Sequence, residues 1–120
     1  MEWEIVFGAE FQSEFPNLPQ QVQDEALAIT GWLKQFGPVL GRPQVDTLAG
    51  SQFANMKEMR FDADDGVWRI AFAFDPKRRA ILLVAGDKSG GSEKRFYREL
   101  IRKADERFSA HLKRLNDERN

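Results

Sequence analysis

The 120-residue chain has no cysteine, one histidine and one tyrosine. Without thiols there is no disulfide framework, no thiolate nucleophile and no thiolate metal ligand, so a reducing compartment is the expected setting. The single histidine, His111, leaves a zinc cluster or a histidine-based nucleophile relay almost no material, and neither a metal nor a cofactor is expected. No apolar run approaches the ~20 residues of a membrane helix, and the acidic start Met1-Glu2-Trp3-Glu4 does not read as a signal peptide. The expected location is the cytoplasm, with no membrane partner. Residues 1–33 also lack lysine and arginine altogether.

What is present is a chain 42% hydrophobic and 31% charged, a composition that suits one folded domain spanning 1–120 around one modest core. The net charge of −1 predicts no nucleic-acid binding by itself, but its distribution is polarised. Residues 1–33 hold six acids, and all 18 basic residues follow them. Within 76–103 stand Lys77, Arg78, Arg79, Lys88, Lys94, Arg95, Arg98, Arg102 and Lys103 against three acids. Such a stretch is either a local basic surface or a solvated helix face joined to a basic turn.

Trp3, Ile5 and Phe7 alternate with Glu2, Glu4 and Val6 as a short strand ended by Gly8, and Phe11 and Phe15 suggest a helical turn. Pro19 suits the start of a helix whose apolar stripe is Val22, Ala26, Ile29, Leu33 and Phe36, stopped by Gly37-Pro38. Residues 37–54 read as an irregular connection, a length that in a compact domain is often functional or mobile. Strands are expected near 55–62, 67–75 and 79–87, joined by turns at Asp64-Asp65-Gly66 and Asp75-Pro76-Lys77-Arg78. Ser92 then caps a final helix with Glu93 in its first turn, carrying Tyr97, Ile101, Ala104, Phe108, Leu112 and Leu115 on one stripe to about residue 115. His111 lies near that stripe and reads as a half-buried structural residue. Trp32 and Phe53 are not assigned to the core by their spacing, and Phe53, in the long connection, could make a stacking or partner contact.

The segments Lys57–Asp62 and Val67–Phe74 sort their side chains cleanly when folded as a hairpin. Met59, Phe61, Trp68, Ile70, Phe72 and Phe74 share one face, which needs a core. Glu58, Arg60, Asp62, Arg69, Ala71 and Ala73 share the other, which reads as a shallow, open floor. Pairing outward from the turns sets Asp62 opposite Val67, Arg60 opposite Arg69, Phe74 opposite Arg79 and Arg69 opposite Val84. Lys88 then falls on the floor with the two arginines. A slip by one residue would expose the aromatic set, so the faces are more strongly specified than the pairing.

Like charges directly opposite on a sheet destabilise it, so the Arg60–Arg69 pair needs an anion. Glu58 and Asp62 could supply it as a surface salt-bridge ladder, or a phosphate could, because guanidinium donors fit phosphate oxygens in pairs. Gly86-Asp-Lys-Ser-Gly-Gly lacks the spacing of a nucleotide-binding loop. If the anion is an RNA backbone, RNA brings its own nucleophile, the 2′-OH, and metal-free cleavage needs a base, cations on the phosphorane and an acid. Glu58 or Lys88 could be the base, Arg60 and Arg69 the charge stabilisers, and Lys88 or Tyr97 the proton donor. Without a histidine the reaction should be weak unless something else positions the RNA. On this reading Arg69→Ala abolishes activity without unfolding the chain, whereas Trp68→Ala unfolds it at a cost of about 3–5 kcal/mol.

Four segments and the tail together resemble the RelE/ParE toxin superfamily, in its phage-derived HigB-like branch. They are Gly41-Arg42-Pro43-Gln-Val-Asp-Thr-Leu48, Asn55-Met56-Lys57-Glu58-Met59-Arg60, Val67-Trp68-Arg69 through Phe74, and Leu82-Leu-Val-Ala-Gly-Asp-Lys88, with Arg95-Phe-Tyr97 through Phe108 in the tail. The resemblance implies an α+β, RelE-like fold: a small, mostly antiparallel sheet with N-terminal helices packed on one face and a long C-terminal helix. It also implies a toxin of a type II toxin–antitoxin pair that cleaves mRNA in the ribosomal A site. The ribosome would then supply the positioning that the chemistry lacks. A cognate helix-turn-helix antitoxin would be its partner, with operator DNA reached only through the antitoxin. Carried over by position, the catalytic set is Arg60, Arg69, Lys88, Glu58 and Tyr97. Lys57, Lys77, Arg78, Arg79, Lys94 and Arg95 are RNA-binding candidates from the basic segments. The superfamily's gyrase poisons share the fold, so the rival reading is a non-catalytic binding module, either a gyrase inhibitor or an inactive toxin acting in antitoxin and operator regulation.

Overall fold

A computed structural model describes residues 2–118. Its elements run β1 (Glu4–Phe7), α1 (Ala9–Glu14), α2 (Gln20–Phe36), β2 (Val45–Thr47), β3 (Met56–Ala63), β4 (Gly66–Phe74), β5 (Arg79–Asp87) and α3 (Glu93–Glu118). The five strands form one sheet in the order β1-β5-β4-β3-β2. Only the β1–β5 pair is parallel. α1 and α2 cover one face and α3 covers part of the other, the α+β arrangement expected from the sequence.

Local chemistry explains the elements. Asp64 and Asp65 close the β3–β4 hairpin in left-handed conformations (φ 52° and 60°), the backbone a two-residue turn needs to follow the strand twist. Pro19 stands just before α2, and the Ser92 hydroxyl accepts the backbone N–H of Arg95 to cap α3. Gly37 ends α2 at φ +59°, and its N–H reaches the carbonyl of Leu33. A side chain at Gly37 would collide with the indole of Trp3, whose backbone N–H is bonded to Lys34, so the stop also lets β1 approach α2.

The sheet has two apolar layers. Val22, Ala26, Ile29 and Leu33 of α2 bury Met59, Ile70, Phe72 and Leu82, together with Phe11 and Phe15. On the opposite side Leu100, Ala104 and Phe108 of α3 bury Met56, Ala71, Ala73, Ile81, Leu83 and Val84. Arg107 fastens this helix across the sheet edge, because its guanidinium donates to both carboxylate oxygens of Glu14 (2.8 Å each) and to the carbonyl of Leu83 (2.7 Å).

Several expectations need correction. The floor is not open, since small Ala71 and Ala73 let α3 lie directly over it. The 37–54 connection contains a strand, β2, paired antiparallel with Met59–Lys57. Its remainder is held to α3 by Asp105, which accepts from Ser51 and Gln52. Phe53 packs edge-on against Phe108 and belongs to the core. Phe36 is exposed beyond the α2 stripe. Trp68 is only half-buried at the sheet rim, and Ile70 and Phe72 carry the burial assigned to it. A bulge changes the β4–β5 register: Phe74 faces Ala80, Leu83 is extra, and Arg69 faces Gly86. Arg69 is thus displaced by two positions, and an even displacement keeps it on the expected face.

Candidate functional site: a guanidinium cluster at the sheet edge

The predicted pair is present, with Arg60 on β3 directly opposite Arg69 on β4. Glu58, two residues before Arg60 and on the same face, is the anion that offsets it. Its Oε2 accepts from Arg60 Nη1 at 2.9 Å and its Oε1 accepts from the Tyr97 hydroxyl at 3.0 Å. Tyr97, from the first turns of α3, accepts in turn from Arg69 Nε at 3.2 Å. Arg69 Nε stands 3.7 Å from Glu58 Oε1, and its Nη1 donates to the carbonyl of Trp68. The result is a closed triangle of Glu58, Tyr97 and Arg69, with Arg60 attached through Glu58.

Burial grades across this cluster. Glu58 and Arg69 are 4% and 5% exposed, whereas the Arg60 side chain keeps 24% of its surface. The expectation of an open Arg69 is therefore wrong: α3 brings Tyr97 over it. Gly86, facing Arg69, makes this possible, because a Cβ there would stand 2.8 Å from the ring of Phe96. Lys88 joins from the end of β5, its ammonium 5.8 Å from the Tyr97 ring centroid and paired with the exposed Glu93. That pairing holds the Glu93 carboxyl below its ordinary pKa.

Three cations thus meet two carboxylates, and one of those carboxylates lies in solvent. Arg60 and Arg69, which share the one carboxylate of Glu58, border a cleft of about 340 Å³ lined by Arg42, Pro43, Arg60, Phe61, Asp62 and Arg69. Arg42 is an addition that the sequence reading did not assign. It is ion-paired to Asp46 at 2.8 Å, and that contact lowers the Asp46 pKa. The signal available for it was the segment Gly41–Leu48, whose apolar Val45 and Leu48 flank polar Asp46 and Thr47.

The other basic candidates are dispersed. Lys57 alternates onto the α2 side of β3 and donates to Thr47 Oγ1. Lys77, Arg78 and Arg79 sit at the β4–β5 turn, at the opposite end of β4 from Arg69. There Arg79 is engaged by Asp75 and Arg78 lies over the Trp3 ring, 4.3 Å from its centroid. Lys94 and Arg95 open α3 near Lys88. Arg95 lines a separate cleft of about 380 Å³ along the outer edge of β5, with Glu99 and Lys103. His111 is structural as expected, stacked on Phe108 with Nε2 2.9 Å from Asp75 Oδ2. Among the described residues no group of three or more histidine or acidic side chains could hold a metal ion, and no helix is long and apolar enough to cross a membrane.

The comparisons with known proteins follow the same lines. Residues 13–109 match the family described as phage-derived protein Gp49-like (DUF891). The chain is 43% identical over 101 residues to "Putative toxin HigB2" of Mycobacterium tuberculosis, covering 83% of this chain and 50% of that protein. It is 49% identical over 88 residues to "Putative toxin HigB3" of the same organism, covering 71% of this chain and 75% of that one. The chain thus spans about half the length of the first of these relatives. In structure it is similar to a free-state mutant of the E. coli toxin RelE, with a TM-score of 0.59 at 10% identity over 86% of this chain and 97% of the other, a likeness of fold alone. The chain belongs to the Gp49-like phage-derived family, together with HigB-like relatives, and has a RelE-like fold.

Proposed function

We propose that the protein is the toxin of a type II toxin–antitoxin pair and cleaves mRNA on the ribosome without a metal. The observation that carries this reading is the cluster of Arg60, Glu58, Tyr97 and Arg69, with Lys88 beside it, at the margin of an open cleft. Phosphate is the anion that fits two guanidinium groups whose internal carboxylate is already shared with a tyrosine. The 2′-oxygen attacks the adjacent phosphorus while the bond from phosphorus to the 5′-oxygen breaks, leaving a 2′,3′-cyclic phosphate and a 5′-hydroxyl. The proton of the 2′-OH passes to the Tyr97 oxygen as Tyr97 gives its own to Glu58. This relay follows the donor direction of the 3.0 Å bond. Arg60 holds the charge that develops on the phosphorane, with Arg69 adding its field from within the cleft wall, and Lys88 protonates the departing 5′-oxygen. Glu58 is too buried to touch RNA and acts through Tyr97 and Arg60.

A cognate helix-turn-helix antitoxin is the expected protein partner, mRNA on the ribosome the substrate, and operator DNA a target only through the antitoxin. The second reading, a non-catalytic module that binds gyrase or only the antitoxin, draws on the same Glu58, which already neutralises part of the arginine charge. Primer extension on a translated mRNA separates the two. Codon-phased cuts that vanish in Arg60→Ala support the nuclease, whereas gyrase-dependent DNA breaks without mRNA cuts overturn it.

A further inference from the structure

The cationic cleft does not end at Arg60. On the α2 side of β3 lies a second depression of about 260 Å³, lined by Glu25, Ala28, Ile29, Trp32, Gln44, Arg60 and Phe61. Arg60 and Phe61 line both. The dominant flat surface in the second depression is Trp32, whose side of α2 is not covered: Trp32 is 52% exposed, while its neighbour Leu33 is fully buried. A large exposed indole in a depression that shares Arg60 with the cationic cleft suits an occupant with a flat π-face at one end and negative charge at the other. Charge also orients that occupant. Glu25 stands at the far end and repels a phosphate, whereas Arg60, Arg42 and Arg69 attract one.

We propose that Trp32 is a nucleobase-stacking subsite, which holds the base next to the phosphate bound at Arg60 in single-stranded RNA. The backbone fixes the geometry, since the N–H of Arg60 is bonded to the carbonyl of Gln44 and both residues line the depression. A carboxylate at the far end accepts hydrogen bonds from exocyclic amino groups, so Glu25 favours bases that carry one over uracil. Stacking on the indole tolerates any base, and the preference therefore rests on Glu25 rather than on Trp32. This inference deepens the nuclease reading and rests on it for the identity of the phosphate.

The test titrates a short, non-cleavable 2′-O-methyl single-stranded RNA into the purified full chain and maps mRNA cuts by primer extension in parallel. Trp32→Ala should weaken RNA binding by about 5- to 150-fold, the change that corresponds to base stacking, and should redistribute the cut positions. Trp32→Phe should retain the affinity but remove the quenching of indole emission that RNA causes in the wild type. Glu25→Gln should shift the base preference, narrowing the difference between amino-bearing bases and uracil. Unchanged RNA affinity and an unchanged cut map in Trp32→Ala would overturn the subsite, including the case in which that variant loses only antitoxin binding and the surface is a protein interface. The two readings fail separately. A wild type that cuts no mRNA but shows Trp32-dependent RNA quenching defeats the nuclease and keeps the subsite. A Trp32→Ala variant that cuts and binds as the wild type does the reverse.

Discussion

Two buried carboxylates, one in the turn after β4 and one beside the middle of that strand, are built from nearly the same parts and end in different states. Asp75 and Glu58 each lie between an arginine and an aromatic ring from α3, His111 for Asp75 and Tyr97 for Glu58. Asp75 sits in a turn, where free backbone donors are available. Its Oδ1 accepts the N–H groups of Lys77 and Arg79, and its Oδ2 accepts Arg79 Nε and Nη2 and faces His111. Nothing is left over. Glu58 sits within a strand, where the neighbouring N–H groups are spent on the ladder, so only side chains can satisfy it. Arg60, Arg69 and the Tyr97 hydroxyl gather around it, and Arg60 borders a cleft. A carboxylate saturated by its own turn acts as a lock, whereas one satisfied only by side chains can share those partners with an outside anion, as the proposed site requires.

That contrast can be broken at either end, and the largest effect should come from the lock. Asp75→Ala removes the centre of a buried network and should cost about 3–5 kcal/mol in denaturant unfolding. A loss below about 1 kcal/mol would show that the turn does not need it. Arg69→Ala should carry a similar stability cost, because it strands Glu58 beneath α3. Arg69 is therefore a poor probe of chemistry, and the earlier expectation of a harmless substitution there does not hold.

Arg60→Ala is the cleaner probe at the open end. It should reduce mRNA cleavage by about 10²-fold or more, as the loss of a charge-stabilising donor does. Its stability cost should stay near the value of one charged hydrogen bond, about 1.5–3 kcal/mol. Full killing by a folded Arg60→Ala protein would remove the site from this end of the sheet.

Acid should act on the lock. Burial pushes the Asp75 pKa up, but its bonds to Arg79, His111 and the turn backbone outweigh that and hold it below the ordinary 3.8. A carboxyl depressed in the folded state adds stability that is present above the unfolded value and lost as pH falls through the folded one. The urea midpoint should therefore drop below about pH 4 in the wild type, and more shallowly in Asp75→Asn. The smallest effect belongs to the basic turn. Lys77→Ala and Arg78→Ala, remote from the cleft, should change cleavage by less than about twofold, and stability by no more than an exposed substitution does, about 0.5 kcal/mol.

Much of this was legible from local rules. Alternation put Arg60 opposite Arg69 and sorted the two faces of the hairpin. The turn aspartates, Ser92 and Gly37-Pro38 marked the boundaries, because capping and turn chemistry act over a few residues. β2 was not legible, because three residues carry too little alternation to stand out from a glycine- and proline-rich connection. The Leu83 bulge was missed because nothing in a run of apolar residues reveals which one goes unpaired. Arg42 and Trp32 gained their places only when β2 and α2 were docked beside the edge of β3.

The sequence by itself determined which residues share a face, since side-chain parity is set by the backbone of a strand. It also determined that two guanidinium groups would need an anion. Only the tertiary structure decided how that need is met. α3 crosses the small-residue floor, carries Tyr97 onto Arg69 and Glu58, and leaves Arg60 at the rim. Burial, and with it the difference between a lock and a site, depends on what packs above a strand, and that is a property of distant segments rather than of the strand's own residues.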